Sequence, residues 1–410
     1  MTVVIVGGGP SGLTAALAAA NKHSDIILFN KNPQPGKKVS AIPISELYFS
    51  EKIPPKNMAE QFGAKADFAS AVFKTFNYIN LIEFFKAINL DLQADANGHF
   101  KANGTTGGQL CDHLLQALLN KGVDHKKSAR VTDIVTDDNQ ITGVIANGAV
   151  FPASKVILAT GSFSSPKYGA TRDGYEISQR LGHRIAELKP ALVDLITSEK
   201  YGKILDGITL DDIRINIFYD GKTAHSEVGS IKFTKTGISG PFILNHSAEI
   251  IEKLQSCQVE VRLDLMPDEP RETFDSWLIK EFISRRHIMV GQFLSRYFDD
   301  NVIKAIELES RVMLNKSIAH VTNLERKSLT HAIKDFRLTI KSPMPFNSTR
   351  GVLGGVAIND IDPETMQSKK IKGLYFAGDI IDVLGPFGGY NMQFAFSSGY
   401  IAGSAAAGLN

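Results

Sequence analysis

Three glycine-bearing segments carry the residue types and spacings that could do chemistry. Gly7, Gly9 and Gly12 stand at Gly-x-Gly-x-x-Gly spacing, with Pro10 and Ser11 between the last two. In such a turn the first glycine permits a tight bend, the second lets the backbone approach a pyrophosphate, and the third lets a helix pack closely on a strand. Gly378-Asp379 closes a short apolar run, Leu374 to Ala377, and Gly388-Gly389 opens the next one, beginning Tyr390-Asn391-Met392. A carboxylate at a strand end accepts strong hydrogen bonds from sugar-type hydroxyls. A helix start turns N–H groups and a positive dipole end toward an electron-rich group. The combination points to one dinucleotide cofactor held by both ends of the chain.

The elements that must position these residues are legible around them. Thr2 to Val6 is an apolar run of the kind that forms a buried parallel strand. An alanine-rich helix from Leu13 to about Asn21 and a second buried strand, Asp25 to Phe29, complete a β-α-β pattern. The acidic residue expected at the end of the second strand is missing, and the chain reads Phe29-Asn30-Lys31. Asn30 can accept a ribose hydroxyl through its carbonyl oxygen, without charge assistance. Lys31 leaves two readings open, a partner for a 2′-phosphate or a solvated surface lysine. Lys155-Val-Ile-Leu-Ala-Thr160-Gly161 is another buried strand ending in glycine.

Between these strands, residues 32 to 62 read as irregular, Ala69 to Asn89 and Gly107 to Lys121 as helices, and Val131 to Val135 with Ile141 to Ile145 as a strand pair. Past Pro190 the texture turns β-rich, with a hairpin about Asp220-Gly221 and a strand from Gln258 to Leu265. From Glu269 to about Lys334 it is helical and charged. The expected division is a discontinuous nucleotide domain, 1–189 with 343–410, interrupted by a β-rich insert over 190–266 and a helical insert over 267–342.

Other chemistries find little support. A net charge of +2 gives no electrostatic footprint for nucleic acid, and His125-Lys126-Lys127 reads as solvated surface. The two cysteines, Cys111 and Cys257, form no Cys-x-x-Cys, which disfavours a dithiol couple or thiolate zinc site and suits a reducing cytoplasm. The histidines show no metal spacing, and no Gly-x-Ser-x-Gly elbow occurs. Met1 to Ala20 lacks a basic leader and reads as the fingerprint strand and helix; no apolar run is long enough to span a bilayer.

The return of the chain to the nucleotide fold at Gly378-Asp379 favours a flavin over a nicotinamide. The sequence resembles the BaiN/YhiN-like flavoproteins, the NAD(P)/FAD-dependent oxidoreductases that include aminoacetone oxidase and a bile-acid-pathway reductase. The resemblance rests on Lys155 to Gly161, Asp173-Gly-Tyr-Glu-Ile, Leu181-Gly-His, Phe233 through Pro241 with its Ser239-Gly-Pro, Gly354-Gly-Val-Ala, and Gly373 through Gly403. It implies an α/β fold: an FAD-binding Rossmann-like domain of the glutathione-reductase type, with a barrel-like and a helical insert.

Carried over by position, the resemblance implies that Gly7, Gly9, Ser11 and Gly12 hold the pyrophosphate of FAD. Asn30 takes the ribose position, Val131 meets the adenine edge through its backbone, and Thr160-Gly161 line the adenosine side. Gly378-Asp379 and Gly389 to Met392 face the ribityl chain and isoalloxazine, with Tyr390 and Asn391 the foremost flavin contacts. Pro10, Lys31 and Lys38 complete the expected cofactor-binding set. The sequence departs from the family where a Gly-Arg-Cys-Asn stretch belongs: after Gly36-Lys37-Lys38 it reads Val39-Ser-Ala-Ile-Pro-Ile-Ser-Glu46-Leu-Tyr48. It also carries Gly161-Ser-Phe-Ser-Ser-Pro166 in place of Gly-Gly-Lys-Ser-Tyr-Pro.

These features predict a cytoplasmic FAD-dependent oxidoreductase. It would act on a small organic substrate by hydride transfer at flavin N5, in amine oxidation or C=C reduction, with NAD(P)H or oxygen as partner. Neither nucleic acid nor membrane is an expected partner, and the oligomeric state is open. A flavin-binding sensor or scaffold without turnover, and an enzyme of modified nucleosides, are the rival readings. No catalytic acid or base is identified; His183, in a family-like helix end, and Tyr48 and Glu46, in the divergent loop, stand out for inspection.

Overall fold

The computed structural model describes residues 2–21, 25–199 and 201–408. The chain forms two compact units, residues 1–190 with 349–410, and residues 191–348.

In the first unit, Val3–Val6 is buried throughout, and a strand apolar on both faces belongs in the middle of a parallel sheet. It pairs in parallel with Lys155–Leu158 on one side and Ile26–Asn30 on the other. Leu374–Phe376 extends the sheet past Lys155–Leu158, and Asp124–Lys127 extends it past Ile26–Asn30. All five strands point the same way, so the turns at 7–12, 30–32, 159–161 and 377–379 gather along one carboxyl edge. The basic run His125-Lys126-Lys127 is part of an edge strand, not merely solvated surface. Its charges suit an edge, where they discourage pairing with a further strand.

The two ends of the chain meet as helices. Pro10–Ala20 follows the first turn, and Tyr390–Ala406 follows the last. A Cβ on Gly399 would lie 2.3 Å from the Ser11 carbonyl oxygen, and one on Gly403 would lie 2.2 Å from that of Ala15. Glycines one turn apart therefore let the two backbones touch.

Val131–Asp137, Gln140–Ala146 and Ala149–Pro152 form an antiparallel sheet. Asp138 and Asn139, both at positive φ (43° and 56°), make its first tight turn. The single helix expected from Ala69 to Asn89 is two, Ala66–Thr75 and Tyr78–Lys86. Asn77 breaks it: its side chain accepts from the Ile79 N–H while its own N–H donates to Asn80, a capping box that starts a new helix.

In the second unit six strands pair in the order Leu195–Thr197, Gly237–Ser239, Lys222–Thr234, Thr209–Tyr219, Val259–Asp264 and Phe336–Pro343, and the last pairs again with the first to close a barrel. Alternation buries Ile213, Ile215 and Ile217 on one strand and Val259, Val261 and Leu263 on another. Four helices follow, Arg271–Ser284, Val290–Leu294, Asp300–Ser310 and Asn323–Lys334. Their apolar residues, Phe274, Phe293, Ile306 and Leu329 among them, join the barrel's core. The helical segment expected to stand alone over 267–342 thus shares a unit with the β-rich segment, because the chain returns from the helices into the barrel strand Phe336–Pro343. Buried Lys334 ties the two: its ammonium meets Asp264 at 2.7 Å and donates to the Met266 and Glu269 carbonyls. Among the described residues no helix is long and apolar enough to cross a membrane.

Candidate functional site: a cofactor cradle at the sheet edge

The glycines of the first turn divide by what lies beside them. A Cβ on Gly7, at φ 120°, would stand 2.2 Å from the Ala159 carbonyl oxygen, and one on Gly12 would stand 1.9 Å from that of Gly7. Both are demanded by the fold. Gly9 has nothing within 4 Å of its missing Cβ. That open space is where a pyrophosphate approaches such a turn. The helix behind it starts with Pro10, has no side-chain cap and no acidic residue in its first turn, so its first N–H groups remain for an anion.

On the nucleoside side, Asn30 is buried, donates through Nδ2 to the Asn32 carbonyl at 2.8 Å, and lays its side-chain oxygen against Gly8. An acceptor thus faces the glycine turn from the end of the second strand. Lys31 is turned elsewhere: its ammonium donates to Thr171 Oγ1 at 2.6 Å, and burial lowers its pKa against the pull of nearby Asp173. Arg130 grips Asp173 with two hydrogen bonds of 2.9 Å, and Val131 follows it, buried and opposite Ala146. Thr160 Oγ1 is buried with no hydrogen-bond partner among the described residues. It lies under Gly174, where a Cβ would come within 2.0 Å. Gly161, at φ 74°, has open space beside it.

At the other strand end, Gly378 fits against the fingerprint helix: a Cβ there would lie 2.4 Å from Ser11 Oγ, and its N–H donates to Ser398 Oγ at 2.9 Å. Asp379 follows, with Lys38 Nζ 2.9 Å from its Oδ2. The same ammonium donates to Ser164 Oγ at 3.0 Å and reaches Ser162 Oγ at 3.5 Å. Those hydroxyls are buried and bonded to each other at 3.0 Å. Tyr175 is also buried nearby; burial first, then the charge of Asp379, raises its pKa. Asp382 is paired with Lys65 in the same manner. Ser162, Ser164, Tyr175 and Lys65 were not among the expected site residues. The signal for the serines was present in the departure Gly161-Ser-Phe-Ser-Ser.

The last turn is built differently. Gly388 and Gly389 sit at φ 127° and 106°, which only glycine adopts readily. Tyr390 points into the protein, its ring beside Phe62 and its hydroxyl bonded to Glu51, and burial first and Glu51 second raise its pKa. Asn391 Oδ1 accepts from the Gly385 N–H at 2.8 Å, and its Nδ2 donates to the carbonyls of Gly385 at 2.9 Å and Pro386 at 3.2 Å. Met392 packs half-buried against the core. The Tyr390 and Asn391 side chains, expected as the foremost flavin contacts, therefore brace the helix start. What this start can offer a ligand is its backbone N–H groups.

The divergent loop lies against it. A Cβ on Gly389 would meet Ser50 N and Tyr48 Cβ at 3.1 Å, and Gly388 neighbours the His99 ring. Tyr48 lies over His99 at 4.6 Å between centroids and edge-on to Phe387 at 6.1 Å, with Lys101 above its ring at 4.5 Å. Glu46 is ion-paired with Arg350. His183 is buried with both ring nitrogens engaged, by the Ser178 carbonyl at 3.1 Å and Ser368 Oγ at 2.7 Å. It joins a helix end to the 366–371 loop, which is a structural task. Cys111 packs against Gly36, and burial pushes its thiol up to about 12, so it is no thiolate. Among the described residues no group of His, Cys, Asp or Glu could hold a metal ion.

An FAD molecule suits these residues. Gly9 leaves space for its diphosphate, the uncapped helix start supplies N–H donors, Asn30 and Asp379 supply acceptors for its hydroxyls, and Thr160 has an unused hydroxyl.

Known proteins share both sequence and fold with this chain. The family model described as HI0933-like protein Rossmann domain matches residues 1–405. A 3-dehydro-bile acid delta(4,6)-reductase of Clostridium scindens is 28% identical over 98% of each chain. A ribosomal RNA dihydrouridine synthase of Escherichia coli is 24% identical, over 97% of this chain and 96% of its own. The open conformation of a flavocytochrome c3 fumarate reductase superposes with a TM-score of 0.55 at 16% identity, covering 99% of this chain and 78% of that one. That likeness is one of fold, the α/β FAD-binding Rossmann-like fold.

Proposed function

Because the chain belongs to the HI0933-like Rossmann-domain family, a family of flavin-dependent oxidoreductases, we propose that it is an FAD-dependent reductase of small molecules bearing a C=C bond conjugated to a carbonyl. The observation that carries the reading is the meeting of the open Gly9 turn and the Asp379 strand end on one sheet edge. When bound, FAD supplies hydride acceptance and donation at N5, with a reduced nicotinamide as donor.

The chain's own residues do the holding. Gly9, Ser11 and the first N–H groups of the fingerprint helix would bind the diphosphate, and Asn30 would accept a ribose hydroxyl. Asp379 would accept from the ribityl chain. The N–H groups of Tyr390 to Met392 would serve the flavin pyrimidine, where a positive helix end would favour the charge that develops on reduction. Asn391 keeps that helix start from moving by fixing the 385–386 loop to it.

Reduction is preferred to amine oxidation on the chemistry of the relatives' names. One is a reductase of an unsaturated bile acid. The other makes dihydrouridine, which differs from uridine by hydrogens across a C=C bond. A small molecule is preferred to RNA because the net charge of +2 offers little attraction to a polyanion. The two free cysteines suit a reducing compartment, and we place the protein in the cytoplasm.

The test is spectroscopic. The purified protein, given FAD, should show the oxidised-flavin spectrum, bleach anaerobically with NADH or NADPH, and recover colour on addition of an α,β-unsaturated ketone but not a uridine-containing oligonucleotide. A colourless protein unable to take up FAD sinks the reading. Bound flavin that no nicotinamide reduces would favour a binding protein without turnover.

A further inference from the structure

Lys38 crosses the cradle. It leaves the loop that follows strand Ile26–Asn30 and ends at Asp379 and Ser164, beyond the ends of strands Leu374–Phe376 and Lys155–Leu158. In the sheet order those strands lie on the far side of Val3–Val6, whose glycine turn runs between. Asp379 itself follows Gly378, which touches Ser11 in the first turn of the fingerprint helix. A carboxylate one residue from that contact stands close to where a diphosphate would dock. Like charges at such range repel, more strongly in a half-buried site than in water.

Three neighbouring cations are committed elsewhere. Lys31 is held by Thr171, Arg130 by Asp173, and Lys65 by Asp382. We propose that Lys38 is the counter-charge that lets Asp379 share this site with an anionic dinucleotide, so that cofactor affinity depends on the Lys38–Asp379 pair and not on either residue alone. Ser162 and Ser164 position the ammonium: their buried, mutually bonded hydroxyls fix it over the strand ends. The proposal rests on the FAD reading. It assigns the affinity to a lysine whose partner lies 341 positions away in sequence.

The test is a double-mutant cycle on FAD binding, read by quenching of flavin fluorescence, with the melting temperature of each apoprotein measured alongside. Lys38→Met keeps the stem and removes the charge. It should weaken FAD binding at least about tenfold, the scale of truncating one member of a half-buried charge pair. Asp379→Asn, which keeps an acceptor, should cost less. The double variant should bind more tightly than Lys38→Met, because no unpaired carboxylate then faces the diphosphate, and Lys38→Arg should restore most of the affinity. Wild-type affinity in Lys38→Met, or losses that simply add in the double variant, would overturn the proposal. So would a drop in apoprotein melting temperature with unchanged affinity in the folded fraction, which marks a structural role only. If the wild type itself takes up no FAD, the FAD reading fails first and is recognised separately.

Discussion

The two glycine turns that open the helices at either end of the chain look alike in sequence and differ in what surrounds them. In the first, Gly7 and Gly12 are pressed against backbone while Gly9 faces open space. In the second, Gly389 is pressed by Ser50 and Tyr48 from another part of the chain, while Gly388 stands at ordinary contact with the Tyr390 and His99 rings. The first turn is a socket shaped by its own backbone. The second is a helix start held in place by a loop, 39–50, and by side chains, Tyr390 and Asn391, that point inward. Glycine therefore leaves open space at one position of the first turn, and serves close packing or a left-handed backbone at the others. The divergent loop packs against the second turn through Tyr48 and Ser50.

Substitutions in the two turns should separate these roles. The largest effect is expected from Gly12→Ala, whose Cβ would meet the Gly7 carbonyl oxygen at 1.9 Å. Overpacking against backbone should cost about 3 kcal/mol or more and abolish FAD binding, checked by urea denaturation and flavin fluorescence. Asn391→Ala comes next. It strands the Gly385 N–H and two carbonyls. A loss of about 2–3 kcal/mol is expected, with weaker FAD binding because the second helix start loosens. Gly9→Ala should behave unlike both: stability within about 1 kcal/mol of wild type, yet FAD affinity reduced at least about tenfold because the new methyl fills the ligand's space. A Gly9 variant that loses stability as Gly12→Ala does would break the distinction between the open and the pressed glycines of the first turn.

The smallest effect concerns pH. Burial lowers the His183 pKa in the folded protein, opposed by its bond to Ser178 and by Asp360, and reinforced by Lys370. The unfolded chain binds a proton there first, near the ordinary histidine value of about 6.5. The neutral, bonded ring is thus fully stabilising above that pH, and its share is lost as pH falls below it toward the folded pKa. Urea denaturation between about pH 7 and 5 should show stability falling in the wild type and a flatter profile in His183→Gln, itself less stable at neutral pH.

What could be seen in the sequence was local. The strand–turn–helix at 3–20, the Gly107–Asn120 helix and the Asp220-Gly221 hairpin announce themselves through apolar period and turn residues within a dozen positions. Strand Asp124–Lys127 did not, because an edge strand rich in charge has no apolar pattern to show. The apolar period over 69–89 runs on unbroken while the helix does not, because one capping asparagine outweighs it. In the site, residue types were readable and directions were not. Which way Tyr390 and Asn391 point is fixed by Glu51, Phe62 and the 385–386 loop, and the partner of Lys38 is set by the sheet order. Such contacts between segments leave no mark on either segment alone.

We propose that the open turn at Gly9 and the strand end at Asp379 together hold one FAD. An equilibrium titration of apoprotein with FAD, run side by side on the wild type and Gly9→Ala, tests it most directly. The wild type should saturate with one flavin per chain, while the folded variant should bind at least about tenfold more weakly. No saturable binding by the wild type, or equal binding by the two, would contradict it.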